Sequence, residues 1–376
     1  MRLAFVHDHL NQYGGAEKVL SVMREIYPEA PVYTLSYSPE KIPEALRPAR
    51  VIVSKLGLRP WSIIPFKFLL PFMPAATEEY DLSQFDVVIS NCSAFAKGVV
   101  VAPKTVHICY CHTPTRYLWS DRKSYLEEQK LPKFLKVILG WYLHWLRIWD
   151  FQAADRVDFF VANSETVRQR IKRYYQKDSV VIFPPVEVGA LLVVDQSERD
   201  FFLAGGRLVP YKRIDLAIMA CNRVGAKLKI FGTGPAYADL KKLAGPTVEF
   251  LGRISESEKG LLFAHAKAYL HPQEEDFGMT AVEAMAAGTP VLAYGVGGAS
   301  ETVMPGITGE LFSTQTNEEW ATGLVRFDPS KYSPIDCKAQ ADKFSTKNFK
   351  EAIIKIVTEK FTDQQNRLVE AGRLVG

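Results

Sequence analysis

The chain has 376 residues, 47% of them hydrophobic and 23% charged, the proportions of an ordinary globular protein. That length exceeds what one hydrophobic core serves, so two domains are expected. A net charge of +4 with no block of like charges argues against a nucleic-acid partner, and five scattered cysteines fit reduced thiols better than a disulfide framework.

Short apolar runs alternate with helical patterns, which predicts parallel sheets in an α/β protein. The first half reads as strands at Leu3–His7, Val32–Tyr33, Val87–Ser90, Thr105–Cys111, Phe159–Asn163 and Val180–Phe183, with a helix over Glu165–Tyr175. Pro184-Pro185 and the irregular stretch Glu187–Glu198 mark a join between two doubly wound sheets, dividing the chain into residues 1–186 and 187–354. The second half gives strands at Asp200–Gly205, Lys227–Phe231, Val248–Leu251, Ala268–His271 and Pro290–Tyr294, and helices at Ile214–Val224, Ser255–Ala266 and Thr280–Ala287. The tail after Phe344 reads as one or two helices. The sequence opens on a strand with no leader pattern, and no apolar run reaches the roughly eighteen residues that span a bilayer. A cytoplasmic protein is expected.

In the first half, His7 to Glu17 forms a loop ending in Gly14-Gly15 at a helix start. The G-x-G-x-x-G of a dinucleotide-binding unit is absent there, which argues against a dehydrogenase. Glu17 reads as a first-turn carboxylate that favours the helix dipole. His107, Cys109 and Cys111 alternate onto one face of a strand; three adjacent in-strand residues rarely converge on one ion, so buried thiols are expected rather than a metal site. His112 ends that strand before a Pro-containing turn and is placed to face a cleft. Arg116 follows, as an anion-binding residue or a structural ion pair.

Two stretches mix basic, aromatic and aliphatic residues. One is Lys55–Phe72; the other is Leu131–Trp149, with Trp141, Trp145 and Trp149 at i, i+4 and i+8 beside Lys133, Lys136 and Arg147. Two readings stand: a face lying in a bilayer interface, or an aromatic face packed in the core.

The second half carries the densest motifs. Gly205-Gly206-Arg207-Leu208-Val209-Pro210-Tyr211-Lys212-Arg213 follows a strand, so Arg207 and Lys212 emerge at the carboxyl end of a sheet, where open α/β sheets bind ligands. Arg213 reads as a surface or packing residue. Gly232 and Gly234 end the next strand and allow a flat group to approach the backbone. Glu275 and Glu283 stand eight positions apart around Phe277-Gly278-Met279-Thr280, a turn at a helix start that is suited to holding a phosphate. Thr280-x-x-Glu283 is equally a capping box. Gly295–Gly298 is a second glycine-rich loop, either closing over the pocket or simply joining strand to helix.

E-x7-E followed by A-M-A-x-G-x-P, with G-R-L-x-x-x-K upstream, resembles the signature of the family-4 retaining glycosyltransferases. The resemblance implies the GT-B fold: two Rossmann-like doubly wound domains facing across a cleft, with a last helix, about 355–376, crossing back to the N-terminal domain. It implies that Arg207 and Lys212 stabilise a departing diphosphate, which the backbone of Gly14 and Gly15 approaches. Arg253 and Ile254 would read the base, with Gly232, Phe277, Gly278, Met279 and Thr280 around the donor and Glu283 on its ribose. Glu275 and His112 would meet the donor sugar. Tyr110-Cys111-His112-Thr113-Pro114 with Arg116, Tyr117 and Trp119 is similar to bacterial O-antigen and capsule mannosyltransferases. That implies GDP-mannose as donor, a lipid-linked saccharide as acceptor with Arg116 on its phosphate, and peripheral attachment to the inner membrane surface.

No nucleophilic carboxylate can be assigned for a double displacement. The family implies front-face transfer instead, with Arg207, Lys212 and the helix dipole at Thr280 stabilising the leaving group. No Asp-x-Asp lies near the motifs, so neither metal nor cofactor is expected. A UDP- or ADP-sugar donor, an epimerase of the same fold and a non-catalytic sugar-nucleotide-binding protein are the alternatives; the intact Arg207, Lys212, Glu275 and Glu283 disfavour the epimerase.

Overall fold

The structure is a computed structural model that describes residues 1–44, 47, 50–58, 64, 66–129, 131–189, 194 and 198–375. It divides into two compact units, Met1–Phe183 with Phe349–Gly376, and Pro184–Asn348.

In the first unit seven strands form a parallel sheet: β1 (Leu3–His7), β2 (Val32–Thr34), β3 (Val51–Val53), β4 (Val87–Cys92), β5 (Val106–Cys111), β6 (Phe159–Ala162) and β7 (Ser179–Val181). Their order is β3-β2-β1-β4-β5-β6-β7, so the chain reverses its direction of growth between β1 and β4. Successive residues of a strand face opposite sides, and both sides are covered. Leu3 and Phe5 of β1 join a core containing Met23 and Val161, while Ala4 and Val6 join another with Val88 and Ile171. The first core is completed by Phe349, Ile353 and Val357, spaced along one face of a single tail helix, Thr346–Val375.

A buried ionic hub fixes the segment after β5. Lys97 and Asp150 are each 1% exposed and meet at 2.5 Å. Asp150 also accepts from Thr115 Oγ1, Trp119 Nε1 and Tyr175 Oη, each at 2.8 Å. With the remaining lone pairs satisfied, the desolvation cost of the pair is largely offset; removing one partner from such a pair typically costs about 3–5 kcal/mol.

His107, Cys109 and Cys111 are buried on β5. The His107 ring bonds the Ser90 hydroxyl at 2.8 Å, and burial holds its pKa down at about 4. Burial likewise pushes the Cys109 thiol up.

The helix Lys133–Asp155 divides the tryptophan row. Trp149 is buried and donates to Glu78 Oε1 at 2.9 Å, whereas Trp141 and Trp145 face outward. Core and surface readings thus each hold for part of the row. Of the other aromatic–basic stretch, Arg59 to Ile63 and Pro65 lie outside the described residues.

The second unit holds a six-stranded parallel sheet: β8 (Phe201–Gly205), β9 (Leu228–Phe231), β10 (Val248–Gly252), β11 (Ala266–His271), β12 (Val291–Tyr294) and β13 (Gly309–Phe312). The order β10-β9-β8-β11-β12-β13 puts the reversal between β8 and β11. Two edge strands, β3 and β13, were not expected from the sequence, nor were the helices Tyr237–Leu243, Asn317–Arg326 and Pro334–Asp342. The expected strands are present, with ends displaced by up to two residues.

Candidate active site

At the β8/β11 reversal two strand ends diverge and leave a crevice. A short 3-10 turn, Pro210–Lys212, brings Lys212 into it from β8, and the loop after β11 brings Glu275. Lys212 Nζ bonds Glu275 Oε1, with the two side chains 11% and 16% exposed. Glu275 Oε2 faces His271 Nε2 at 3.7 Å. Burial pushes the Glu275 carboxyl up, but the charges of Lys212 and His271 outweigh it, so the group stays below the usual carboxylate range.

His271 was not singled out in the sequence, where it is only the last residue of a strand. It is fully buried, and burial lowers its pKa to about 4, so its ring is neutral near pH 7. Gln273 Nε2 lies 3.0 Å from His271 Nδ1, while His271 Nε2 and Gln273 Oε1 have no hydrogen-bond partner within the protein. Two buried polar atoms therefore point at the crevice with unmet hydrogen-bonding capacity, which a polyhydroxylated ligand can satisfy.

Gly278 opens the helix Met279–Ala286 as its N-cap, in the left-handed region at φ 86°. Thr280 is consequently the second helical residue, and the capping box that Thr280 and Glu283 spell out is not formed. Glu283 instead bonds Lys259 Nζ at 2.9 Å. The helix N-terminus has no side-chain cap, which leaves it suited to an anion. Phe277 points away, packed edge-on against Phe344 with centroids 5.4 Å apart, so only its backbone is available to a ligand.

The second glycine-rich loop braces this turn. Gly298 N donates to Glu275 O at 2.8 Å, and a Cβ on Gly297 would lie 2.3 Å from that same oxygen. Gly232 has a similar role: its φ is 107°, and a Cβ there would lie 1.8 Å from Gly206 O. This close approach is thus backbone to backbone. Arg207 is exposed beyond β8, Arg253 is exposed and Ile254 half-buried beyond β10, and Arg213 pairs with Asp215 at 3.3 Å.

The first unit has its own cluster at the β1/β4 reversal. His7 ends β1 opposite Asn91 of β4. Asn91 Nδ2 donates to Ala16 O at 2.8 Å, which directs Oδ1 at His112 Nε2, 2.6 Å away. This bonding assigns the His112 proton to Nε2 and leaves Nδ1 as an acceptor. Burial lowers the His112 pKa to about 4. Glu17 is more than a dipole-matched surface residue. It is 4% exposed, accepts from Gly14 N at 2.8 Å and lies 3.5 Å from His7 Nε2. Gly14 is the N-cap and Gly15 the first residue of the helix Gly15–Ile26, so both lie on this cluster's border.

Asp8, beside His7, takes four backbone N–H groups, from Ser93, Ala94, Phe95 and Ala96 at 2.6–2.9 Å. Arg116 pairs with Asp121 at 2.7 Å.

Comparison with known proteins agrees with this architecture. A family model described as Glycosyltransferase Family 4 matches residues 13–189, and one described as Glycosyl transferases group 1 matches residues 193–330. A D-inositol 3-phosphate glycosyltransferase of Nocardioides is 28% identical over 215 residues, 46% of this chain and 47% of that one. An uncharacterised glycosyltransferase of Methanocaldococcus jannaschii is 29% identical over 164 residues, 42% of this chain and 46% of that one. The chain thus spans about half the length of the curated relatives it matches. Among solved structures, Anabaena HepE in complex with UDP-glucose aligns at a TM-score of 0.69 with 18% identity, covering 96% of this chain and all of that one. Sucrose-phosphate synthase of Thermosynechococcus elongatus aligns at 0.72 with 16% identity, over 96% and 100% of the two chains.

The two parallel-sheet units are those of a GT-B protein. The chain belongs to the family-4, group-1 glycosyltransferases, one matched domain in each half.

Proposed function

We propose that the protein is a retaining glycosyltransferase that moves a sugar from a nucleotide donor to a lipid-linked saccharide at the inner face of a membrane. The observation that carries this reading is the convergence of Lys212, Glu275 and the uncapped helix N-terminus after Gly278 at one strand reversal. A cation and a helix dipole suit a diphosphate, and a carboxylate beside an unsatisfied imidazole suits sugar hydroxyls.

In the proposed reaction Lys212 and Arg207 stabilise the diphosphate as the bond from the anomeric carbon to its oxygen breaks. The acceptor hydroxyl oxygen bonds that carbon from the same face, and its proton passes to the departing phosphate oxygen. These cations supply the charge that a divalent metal supplies elsewhere, so no metal or cofactor is invoked. Gly14, Gly15, Gly232, Arg253, Ile254, Phe277, Gly278, Met279, Thr280 and Glu283 are assigned to the donor, His112 to its sugar and Arg116 to the acceptor phosphate.

The wording around Tyr110–Trp119 favours GDP-mannose. A second reading, a UDP-sugar donor, is favoured by the HepE complex with UDP-glucose. Calorimetric titration with GDP, UDP and ADP without added metal separates the two. Tightest binding of GDP supports the mannosyl donor, tightest binding of UDP replaces it, and no binding of any nucleotide overturns the enzyme reading.

A further inference from the structure

The helix Lys133–Asp155 has two apolar faces, only one of which is covered. Leu143, Leu146 and Trp149 close over a core shared with Leu69, Met73 and Leu118. On the outer side Phe134, Val137, Ile138, Trp141, Trp145 and Ile148 are 65%, 61%, 60%, 73%, 52% and 47% exposed. At 3.6 residues per turn these six fall on one stripe, at steps of one, three or four. Nearby, Phe68 and Phe72 are also more than half exposed, and Tyr142 Oη ties the helix to Leu70 O at 2.9 Å. A contiguous exposed apolar surface of this kind marks an interaction site rather than scattered surface hydrophobics.

Charge decides what covers it. From Lys133 to Trp149 the charged residues are Lys133, Lys136 and Arg147, joined by His144; no carboxylate occurs. The first, Asp150, is buried against Lys97. A second copy docked across a two-fold axis would oppose these cations to one another. Anionic lipid headgroups complement them, and tryptophan favours the boundary between headgroup and acyl chain. No helix among the described residues is long and apolar enough to cross a membrane.

We propose that this stripe is a lipid-docking face. The helix lies in the plane of an anionic bilayer, with Trp141 and Trp145 at the headgroup boundary and Lys133, Lys136 and Arg147 on lipid phosphates. The proposal concerns where the protein sits, and it stands whichever donor sugar is used.

The test is sedimentation of the full chain with vesicles of phosphatidylcholine alone or with added phosphatidylglycerol, at low and high salt. Expected is binding to the anionic vesicles, weakened by salt, with tryptophan fluorescence quenched by brominated acyl chains. Replacing Trp141 and Trp145 by Ser should abolish quenching, and each of Lys133→Gln, Lys136→Gln and Arg147→Gln should weaken binding about fivefold. Unchanged melting temperatures and unchanged calorimetric nucleotide binding would show that fold and donor site are intact in these variants. Three results overturn the proposal: no binding to anionic vesicles, binding unaffected by loss of the two tryptophans, or a lipid-free dimer dispersed by Trp141→Ser.

Discussion

Lys212 and Glu275, brought together from the ends of β8 and β11, neutralise one another inside the crevice. Each is therefore already desolvated and held by the other. An incoming diphosphate competes for Lys212, and its capture leaves Glu275 to the sugar. Under the proposed function, Glu275→Gln keeps the shape and removes the charge. Its kcat should fall by about 10²–10³-fold while nucleotide affinity changes by only a few-fold. Transfer at the parent rate would remove Glu275 from the site.

His107 and His271 carry a pH signature of their own. Both are buried with pKa values lowered to about 4 from 6.5, so below 6.5 the unfolded chain takes up protons that the folded chain refuses. Stability should fall as pH drops from 6.5 towards 4, with unfolding near pH 5 absorbing about two protons from this pair. The Glu275 carboxyl, lowered in the fold, adds to the loss as pH falls through and below the ordinary carboxylate range. Thermal melts across pH 4.5–7 check this, and His271→Gln should reduce the slope by about one proton. A flat profile would contradict the buried neutral rings.

Asn91 sets the tautomer of His112 by accepting from Nε2. In Asn91→Leu that bond is lost, along with the one to Ala16 O. The expected result is a kcat lowered about tenfold, with nucleotide binding by the Lys212 side of the site intact. Imidazole nitrogen chemical shifts should place the His112 proton on Nε2 in the parent; a proton on Nδ1 would refute the assignment.

Gly298 is closed to any side chain, since a Cβ would lie 2.2 Å from Phe277 Cα. Gly298→Ala must displace the turn that carries Glu275. We expect a stability loss of about 1–3 kcal/mol together with weakened nucleotide binding. Alanine at Gly260, which has open space around it, serves as the control.

Much of this was legible because it is periodic or chemically marked. The buried strands read as unbroken apolar runs, and the helices Glu165–Tyr175 and Ile214–Val224 fall where the sequence put them. β3 and β13 escaped notice because strands of three and four residues at sheet edges bury too little to leave a pattern. The helix Asn317–Arg326 left a signal that was passed over: Thr316-x-x-Glu319, with the Thr316 hydroxyl accepting from Glu319 N. At the site, sequence spacing pointed to Lys212 and Glu275 but could not pair them. It gave no hint that His271 or Asn91 would lie beside them or beside His112, because such partners meet through strand register rather than through proximity along the chain.

The core of the first unit is finished by residues that the chain makes last. Phe349, Ile353 and Val357 cover Leu3, Phe5 and Ile108, whereas Pro184–Asn348 forms a continuous unit of its own. During vectorial synthesis the N-terminal sheet must therefore wait, one face uncovered, while the later unit can already close. The usual order of domain maturation is reversed. The interval between emergence of β1 and emergence of Val357 is when this polypeptide is most exposed to aggregation or to capture by a chaperone.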